Sequence, residues 1–239
     1  MKRIAVLTGA GVSAESGIKT FRDSGGLWEN YPVEEVASIE GWHRNPGLML
    51  EFYNTRRKEL ENSRPNEAHR IIAALESRYK TDVITQNVDN LHEKAGSTHV
   101  LHLHGELTKV RPENCYNDRD GFSTQSVFDI GYEPVHLGDK APNGAQLRPH
   151  IVWFGEPVPN IEKAITLVSE ADILIIVGTS LQVYPAAGLY RYAGNDTPIY
   201  LVDPKPAELR DGRLVKIPMK ATEGMRKLAG MLGLEGYGD

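Results

Sequence analysis

The chain is almost without cysteine. Cys115 is its only one, so no disulfide can form within the chain. A lone thiol fits a reducing compartment, and a cytoplasmic location is expected. Long apolar runs are also missing: none approaches the ~20 residues that span a bilayer, so no membrane partner is expected. No separate apolar segment with a cleavage site follows Met1-Lys2-Arg3, so no secretory signal is expected. Excess positive charge is absent as well. The formal net charge is −5 and no basic block stands out, which argues against nucleic acid as the main partner. There are no internal repeats or low-complexity tracts. The 239 residues, 40% apolar and 25% charged, suit one generous α/β domain, or a large domain with a small insertion.

The first stretch organises the rest. Residues 4–7 (IAVL) read as a buried strand: short, apolar and soon ended by glycine. Gly9-Ala10-Gly11 follows, the first Gly for a tight turn and the second for close approach of a ligand to the backbone. A third Gly of the dinucleotide fingerprint would fall at Ala14, so the pattern is incomplete. Alone it fits a plain βα turn as well as a nucleotide site. Residues 21–30 (FRDSGGLWEN) are polar and Gly-bearing, with aromatic residues embedded. They read as a loop that folds over a ligand, or as a surface connection with aromatic anchors.

Beyond it, strands alternate with helices. Helices are expected over residues 46–62, 66–79, 161–170, 186–193 and 222–232, the last capped by Thr222. Strands are expected at 81–85, 99–103, 151–154, 172–177, 198–202 and 216–218. This alternation argues for a parallel sheet with helices on both faces. Residues 107–146, rich in Asn, Asp, Gly and Pro, read as an irregular insertion. Four strand ends carry polar or glycine-rich clusters: residues 9–13, 86–90, 178–180 and Asp203. Four such clusters at the same kind of position point to one crevice holding a nucleotide. His99, His102 and His104 crowd another strand end. No carboxylate or cysteine completes a metal set there, so His104 before Gly105 reads as a general base or a structural residue.

Together these stretches resemble the sirtuins, NAD-dependent protein-lysine deacylases. The resemblance rests on GAGVSAESGIKTFR (9–22), TQNVDNLH (85–92), His104-Gly105, VWFGE (152–156) and GTSLQVYPA (178–186), in that order. It covers nearly the whole chain. It implies an α/β fold with a Rossmann-like large domain (residues 1–30, 80–106 and 147–239). A small domain would come from a helical insertion (31–79) and the irregular one (107–146). It implies that acyl-lysine proteins or peptides are the partners, that NAD loses nicotinamide, and that the acyl oxygen attacks C1′ of the ribose. The acyl group would end on O-acyl-ADP-ribose. The chain would be a monomer or a weak oligomer.

The resemblance also implies residue roles. His104 would deprotonate a ribose hydroxyl, with Asn87 and Asp89 beside it in the catalytic group. Gly9, Ala10, Gly11, Ser13 and Glu15 would hold NAD with Gln86. Thr20, Phe21, Arg22 and Trp28 would belong to the covering loop. Gly178, Thr179 and Ser180 would complete the cofactor site, with Asp203 where the family commonly has Asn, and Ala221. Val152, Trp153, Phe154 and Gly155 would pair by backbone with the substrate peptide, joined by Val183.

Residues 52–57 (FYNTRR) are similar to the class III segment that carries Tyr-x-x-Arg. Tyr53 and Arg56 share a helix face, and an Arg fork with a phenol suits the terminal carboxylate of a succinyl or malonyl lysine. A general deacetylase is the close alternative, and a catalytically weak NAD-binding module is the other. One departure from the family concerns zinc. Most sirtuins hold it with two CxxC pairs; here the first would fall at Pro112 and Cys115 and the second is absent. One thiolate cannot build a tetrahedral site, and His136 alone would not repair it, so no metal is expected. The small domain is instead expected to rest on Tyr116, Phe122, Phe128, Tyr132 and Leu137.

Overall fold

The computed structural model describes residues 1–19, 31–114, 116–117, 121–122, 126–234 and 236. The chain begins with β1 (Arg3–Thr8), α1 (Gly11–Ala14), α2 (Val33–Val36), α3 (Ile39–Arg44), α4 (Pro46–Asn62) and α5 (Glu67–Ala74). A 3-10 turn, Leu75–Ser77, leads to β2 (Lys80–Thr85), α6 (Leu91–Ala95), β3 (Val100–His102) and β4 (Gly105–Pro112). The short strands β5 (Tyr116–Asn117), β6 (Gly121–Phe122) and β7 (Phe128–Asp129) precede β8 (Leu147–Ile151). Then come α7 (Ile161–Ser169), β9 (Ile173–Val177), a 3-10 helix (Ala186–Tyr192), β10 (Ile199–Val202), β11 (Leu214–Ile217) and α8 (Ala221–Met231).

Six strands make one parallel sheet in the order β11-β10-β9-β1-β2-β3. Numbered among themselves along the chain, that is the 3-2-1-4-5-6 order of a doubly wound dinucleotide-binding sheet. The strands are apolar on both faces because both faces are covered. Ile4 and Val6 meet α5 and α8 on one side. Ala5 and Leu7 meet α7 and the Ala186–Tyr192 helix on the other. The strand order reverses between β1 and β9, so the loops after these strands part and open a crevice. The expected Rossmann-like fold is therefore the one observed.

A second sheet, β7-β4-β8, is antiparallel. Only Leu103 and His104 separate β3 from β4, so these two residues carry the chain from one sheet to the other. Packed against β4 and β8 are α3 and α4, through Trp42, Met49, Leu50, Phe52, Tyr53 and Leu60. Helix α4 starts where expected because Asn45 accepts the Leu48 N–H at 3.1 Å and Pro46 takes the first turn. Its Arg57 is fully buried and ties the insertions together. The guanidinium donates to the Leu107 carbonyl at 2.7 Å and to Asn54 Oδ1 at 2.7 Å. Asn54 exchanges two hydrogen bonds with the Val135 backbone, both at 2.9 Å.

Several expectations shift. The strand expected at residues 151–154 runs over Leu147–Ile151 and pairs with β4, so it joins the small sheet rather than the parallel one. The apolar run VWF misleads here, because the ladder ends where Trp153 N–H turns to Glu156 at 2.8 Å. Helix α5 ends at Ala74, with Asn66 as its cap, and residues 186–192 form a 3-10 helix rather than an α-helix. Thr222 lies inside the first turn of α8. Glu15 accepts both its N–H (3.0 Å) and its hydroxyl (2.7 Å), so the acid that helps to cap α8 comes from the first loop. Leu137 is 60% exposed and holds nothing together, while Phe128 and Tyr132 pack at the edge of the small-domain core. The side chains of Tyr116 and Phe122, and Cys115 itself, lie outside the described residues. Among the described residues no group of three or more His, Cys, Asp or Glu is placed to hold a metal ion.

Candidate active site

The crevice begins with two loops in contact. Gly11 N–H donates to the Gly178 carbonyl at 2.8 Å. A Cβ on Gly11 would stand 2.7 Å from Gly178 Cα. Gly178 has φ +63°, and a Cβ there would stand 2.3 Å from the Val12 nitrogen. The second glycine of the GxG is thus needed for its neighbour loop, whereas the sequence suggested a ligand. Locking these loops places the ends of β1 and β9 side by side at the switch point.

Ser13, fully buried in α1, is the hub of the polar groups there. Its hydroxyl donates to Asp89 Oδ2 at 2.9 Å and accepts from Asn87 Nδ2 at 3.1 Å. The His69 ring reaches the same oxygen at 3.4 Å. His69 Nδ1 accepts the Asn66 N–H at 3.4 Å, so Nε2 carries the proton and donates to Ser13. Asp89 also accepts the Leu91 N–H at 3.0 Å. Burial pushes its carboxyl above the usual range, against the pull of Leu91 and Ser13. His92 stacks edge-on to His69 at 4.9 Å and meets the Thr8 hydroxyl at 3.0 Å, which donates to Thr85 at 2.9 Å. Burial keeps both rings neutral: His69 is pushed down to about 4 and His92 well below its ordinary value.

Sequence reasoning named Ser13, Asn87 and Asp89 but missed His69 and His92. The signal for His69 was present, since Asn66 and His69 stand at the N-cap and N3 spacing of a capping box.

His104 sits at the crossing between the sheets. Its Nδ1 lies 3.0 Å from the Gln86 carbonyl, which can only accept. Nδ1 therefore carries the proton, and Nε2 keeps its lone pair. Burial pushes the ring below its ordinary value, with Gln86 opposing. A neutral imidazole with a fixed tautomer is what a general base needs. Gln86 Nε2 in turn donates to Thr179 Oγ1 at 3.2 Å, which links the β2 and β9 strand ends.

A second cluster lies on the antiparallel sheet and α4. Trp153 donates its indole N–H to the Tyr53 hydroxyl at 2.8 Å. Arg148 lies over the Trp153 ring with its guanidinium carbon 3.4 Å from the ring centre. Glu156 is held at 2.7–2.9 Å by Arg148 and at 3.2 Å by Arg111, and it accepts Trp153 N–H. Arg56 pairs with Glu59 at 2.8 Å and packs over Phe52, and among the described residues its buried Nε has no hydrogen-bond partner.

Not every expected site residue joins this group. Pairing along residues 152–155 is largely taken. Val152 N–H bonds the His104 carbonyl, Phe154 N–H bonds Ala37, and the Phe154 carbonyl accepts Ile39 N–H. A peptide cannot pair along the whole stretch without displacing residues 37–39. Gly155 turns with φ +89° against Ile39, and Phe154 is left half exposed. Glu15, at the end of α1, bonds Thr222, and Ala10 stands at the other end as the residue before the helix. Asp203 accepts the Lys205 N–H at 2.8 Å just after β10, and Ala221 is buried at the start of α8. Ser180 and Val183 lie in the loop after β9. Thr20, Phe21, Arg22 and Trp28 lie outside the described residues.

Residues 9–185 match the Sir2 family. An NAD-dependent protein deacylase of Bacteroides thetaiotaomicron is 53% identical over 235 residues, covering 97% of this chain and 98% of that one. A solved Sir2 homologue–NAD complex is 38% identical with a TM-score of 0.84, covering 97% of this chain and 90% of that one. A Sir2 homologue mutant–ADP-ribose complex is 36% identical with a TM-score of 0.84, covering 98% and 94%.

Proposed function

The chain belongs to the Sir2 family, and from that premise we propose that this NAD-dependent protein deacylase prefers lysines whose acyl group ends in a carboxylate. Succinyl and malonyl are such groups; acetyl is not. The observation that carries the preference is the state of the Tyr53–Arg56 pair. Tyr53 oxygen accepts the Trp153 N–H, which leaves its own proton to donate. Burial pushes the phenol well above its ordinary value, so it stays protonated and remains a donor. Arg56 keeps a buried Nε donor unused by the described residues, and its Glu59 partner stands on the solvent side, 54% exposed. A carboxylate arriving there meets a phenol and a guanidinium.

The crevice suits NAD by its donors and acceptors. Ser13, Asn87 and Asp89 form one polar set and Gln86 with Thr179 a second, both beside the switch point and fit for a ribose and a carboxamide. When bound, NAD supplies the ribose carbon that receives the acyl oxygen. The chain does the rest. His69 and Asp89 orient Ser13, and Ser13 orients the Asn87 amide. His104, neutral and held by Gln86, takes a proton from a ribose hydroxyl at Nε2. Asp203 and Ala221 are proposed beside the adenosine end, and Val183 and Phe154 beside the peptide. Thr20, Phe21, Arg22 and Trp28 are proposed as further cofactor contacts. The acyl-lysine is presented by a protein or peptide, and the acyl group leaves on ADP-ribose.

The test is a panel of succinyl-, malonyl- and acetyl-lysine peptides assayed with NAD. The two acidic acyl groups should turn over at higher kcat/KM. Arg56→Met removes a charge-assisted hydrogen bond, so KM for the succinyl peptide should rise roughly 10- to 100-fold with acetyl turnover little changed. A wild-type preference for acetyl, or an unchanged succinyl KM in Arg56→Met, would establish a general deacetylase instead.

A further inference from the structure

His102 and His104 stand two apart in one His-Leu-His-Gly run, yet the structure puts them in opposite states. His102 ends β3 and its side chain is 6% exposed. Its Nδ1 lies 3.0 Å from the Asn87 carbonyl oxygen, and its Nε2 lies 2.8 Å from Glu93 Oε1. A carbonyl only accepts, and so does an ionised carboxylate. Both ring nitrogens must then donate, which only imidazolium can do. His104 shows the contrast: one nitrogen donates to a carbonyl and the other keeps its lone pair.

We propose that His102 is a positioning residue for the deacylase reaction. As an imidazolium paired with Glu93, it holds the Asn87 carbonyl and thereby sets the 86–90 loop that carries Gln86, Asn87 and Asp89. The inference rests on the deacylase activity but not on the acyl preference.

The surroundings support the charged state. Burial alone would push the His102 ring down, but Glu93, then Glu106 and the Asn87 carbonyl, outweigh it and hold the ring above its ordinary value. Burial likewise opposes the Glu93 charge, and His102 with Lys109 outweighs it. The groups around the ring are few and of known sign. From α6 come Glu93 and His92, and from the loop Asp89. From β4 come Glu106 and Lys109, which pair with each other at 2.5 Å. From β8 comes His150, which burial and the nearby arginines hold down at about 3 and so keep neutral. Asn160 fixes the His102 backbone by donating to its carbonyl at 2.8 Å.

Loss of one proton breaks this arrangement. A neutral ring donates from one nitrogen only, so either the Asn87 carbonyl or Glu93 loses its partner. The positioned loop is thus the acid-side form, and activity should decline as pH rises through the His102 pKa.

The experiment is a pH profile of kcat/KM for wild type, Glu93→Gln and His102→Gln on acetyl and succinyl peptides. It is joined by NMR of the histidine ring nitrogens, with His102 assigned by its absence in His102→Gln. Wild type should show a one-proton alkaline limb. Glu93→Gln should move that limb to lower pH, because the carboxylate that stabilises the imidazolium is gone. His102→Gln should remove the limb and lower kcat/KM roughly 10- to 100-fold at neutral pH, in the range seen for supporting residues of catalytic ligands. The NMR should show both His102 nitrogens protonated at neutral pH. A neutral His102 in folded wild type, or a limb unmoved in Glu93→Gln, overturns the proposal. Should no acyl peptide turn over, the deacylase reading fails by itself, while the NMR still decides the state of His102.

Discussion

The two sheets bury polar groups in opposite ways. Beside the parallel sheet the buried network is mostly uncharged: Thr8, Thr85, His92, His69 and Ser13, ending at Asn87 and Asp89. Beside the small sheet, next to the neutral His150, the buried groups include charges: Arg57, Arg111 and Arg148, three guanidiniums, with the carboxylate of Glu156. The difference teaches how the work is divided. The neutral part fixes Ser13, Asn87 and Asp89 by hydrogen bonds alone, and the charge proposed on that side is confined to the His102–Glu93 pair, on the far side of the Asn87 carbonyl. A cationic core, whose Arg148 and Arg57 both act on Tyr53, is the environment that the proposed preference for an anionic acyl end would use.

The sharpest way to break this division is at His104. If the base is all that the large-sheet wall adds at that point, His104→Ala lowers kcat roughly 10²- to 10⁴-fold, by the same factor for every acyl group. NAD binding and peptide binding should stay close to wild type, since the hydrogen bond that holds the ring is to the Gln86 backbone carbonyl and not to a neighbouring side chain of the site. Single-turnover kinetics on succinyl and acetyl peptides give the ratio. A loss that differs strongly between acyl groups would mean that His104 also selects the substrate, and the division would fall.

The small-domain wall is tested at Glu156. Removing this carboxylate leaves Arg148 buried, and Arg111 without its acid, which costs about 3–5 kcal/mol in comparable buried pairs. Glu156→Ala should therefore lower the unfolding free energy by about that amount in urea titration. Glu156 also fixes Trp153, and through it Tyr53, so KM for a succinyl peptide should rise more than kcat falls. An unchanged stability would show that the arginines find other partners and that the charged core is not what organises this wall.

Much of this was legible beforehand, and the rest was not for physical reasons. The parallel sheet could be read because its strands are short apolar runs ending in polar clusters, and each end is an independent signal. Helix α4 could be read to its ends because Asn45, Pro46 and the apolar residues agree. The small domain could not. Its β8 contains Arg148, Pro149 and His150, so it does not resemble a buried strand, and the pull of Val152, Trp153 and Phe154 shifted the expectation by four residues at its start. Arg57 and Arg148 had no role assigned from the sequence, because a sequence does not say which guanidinium finds a carbonyl or a tryptophan face. At the site, Ser13, Asn87 and Asp89 were named through the resemblance, but their joint partner His69 sits in a helix that looked like ordinary core.

The smallest expected effect tests the neutral network through pH. His69 is fully buried, and its ring is pushed from 6.5 down to about 4, chiefly by burial. A group whose folded pKa is depressed contributes stability that is present above its unfolded pKa. That stability is lost as pH falls toward the folded value, because the unfolded chain takes up the proton first. Between about pH 6.5 and 4 the protein should therefore lose on the order of 3 kcal/mol through His69. His92 and His150 add slope of the same sign. His102 runs the other way, since its contribution is full below its unfolded pKa and declines as pH rises through its raised folded value. The arginines of the small sheet do not titrate in this range, so acid sensitivity should come from the buried histidines: His69 and His92 on the large-sheet side and His150 of β8 on the other. Urea unfolding of wild type and His69→Gln at pH 7 and pH 4.5 separates the two. The variant should start less stable at pH 7 but lose less on acidification. An equal loss in both would mean that His69 is not held neutral, and that the Ser13 network carries charge.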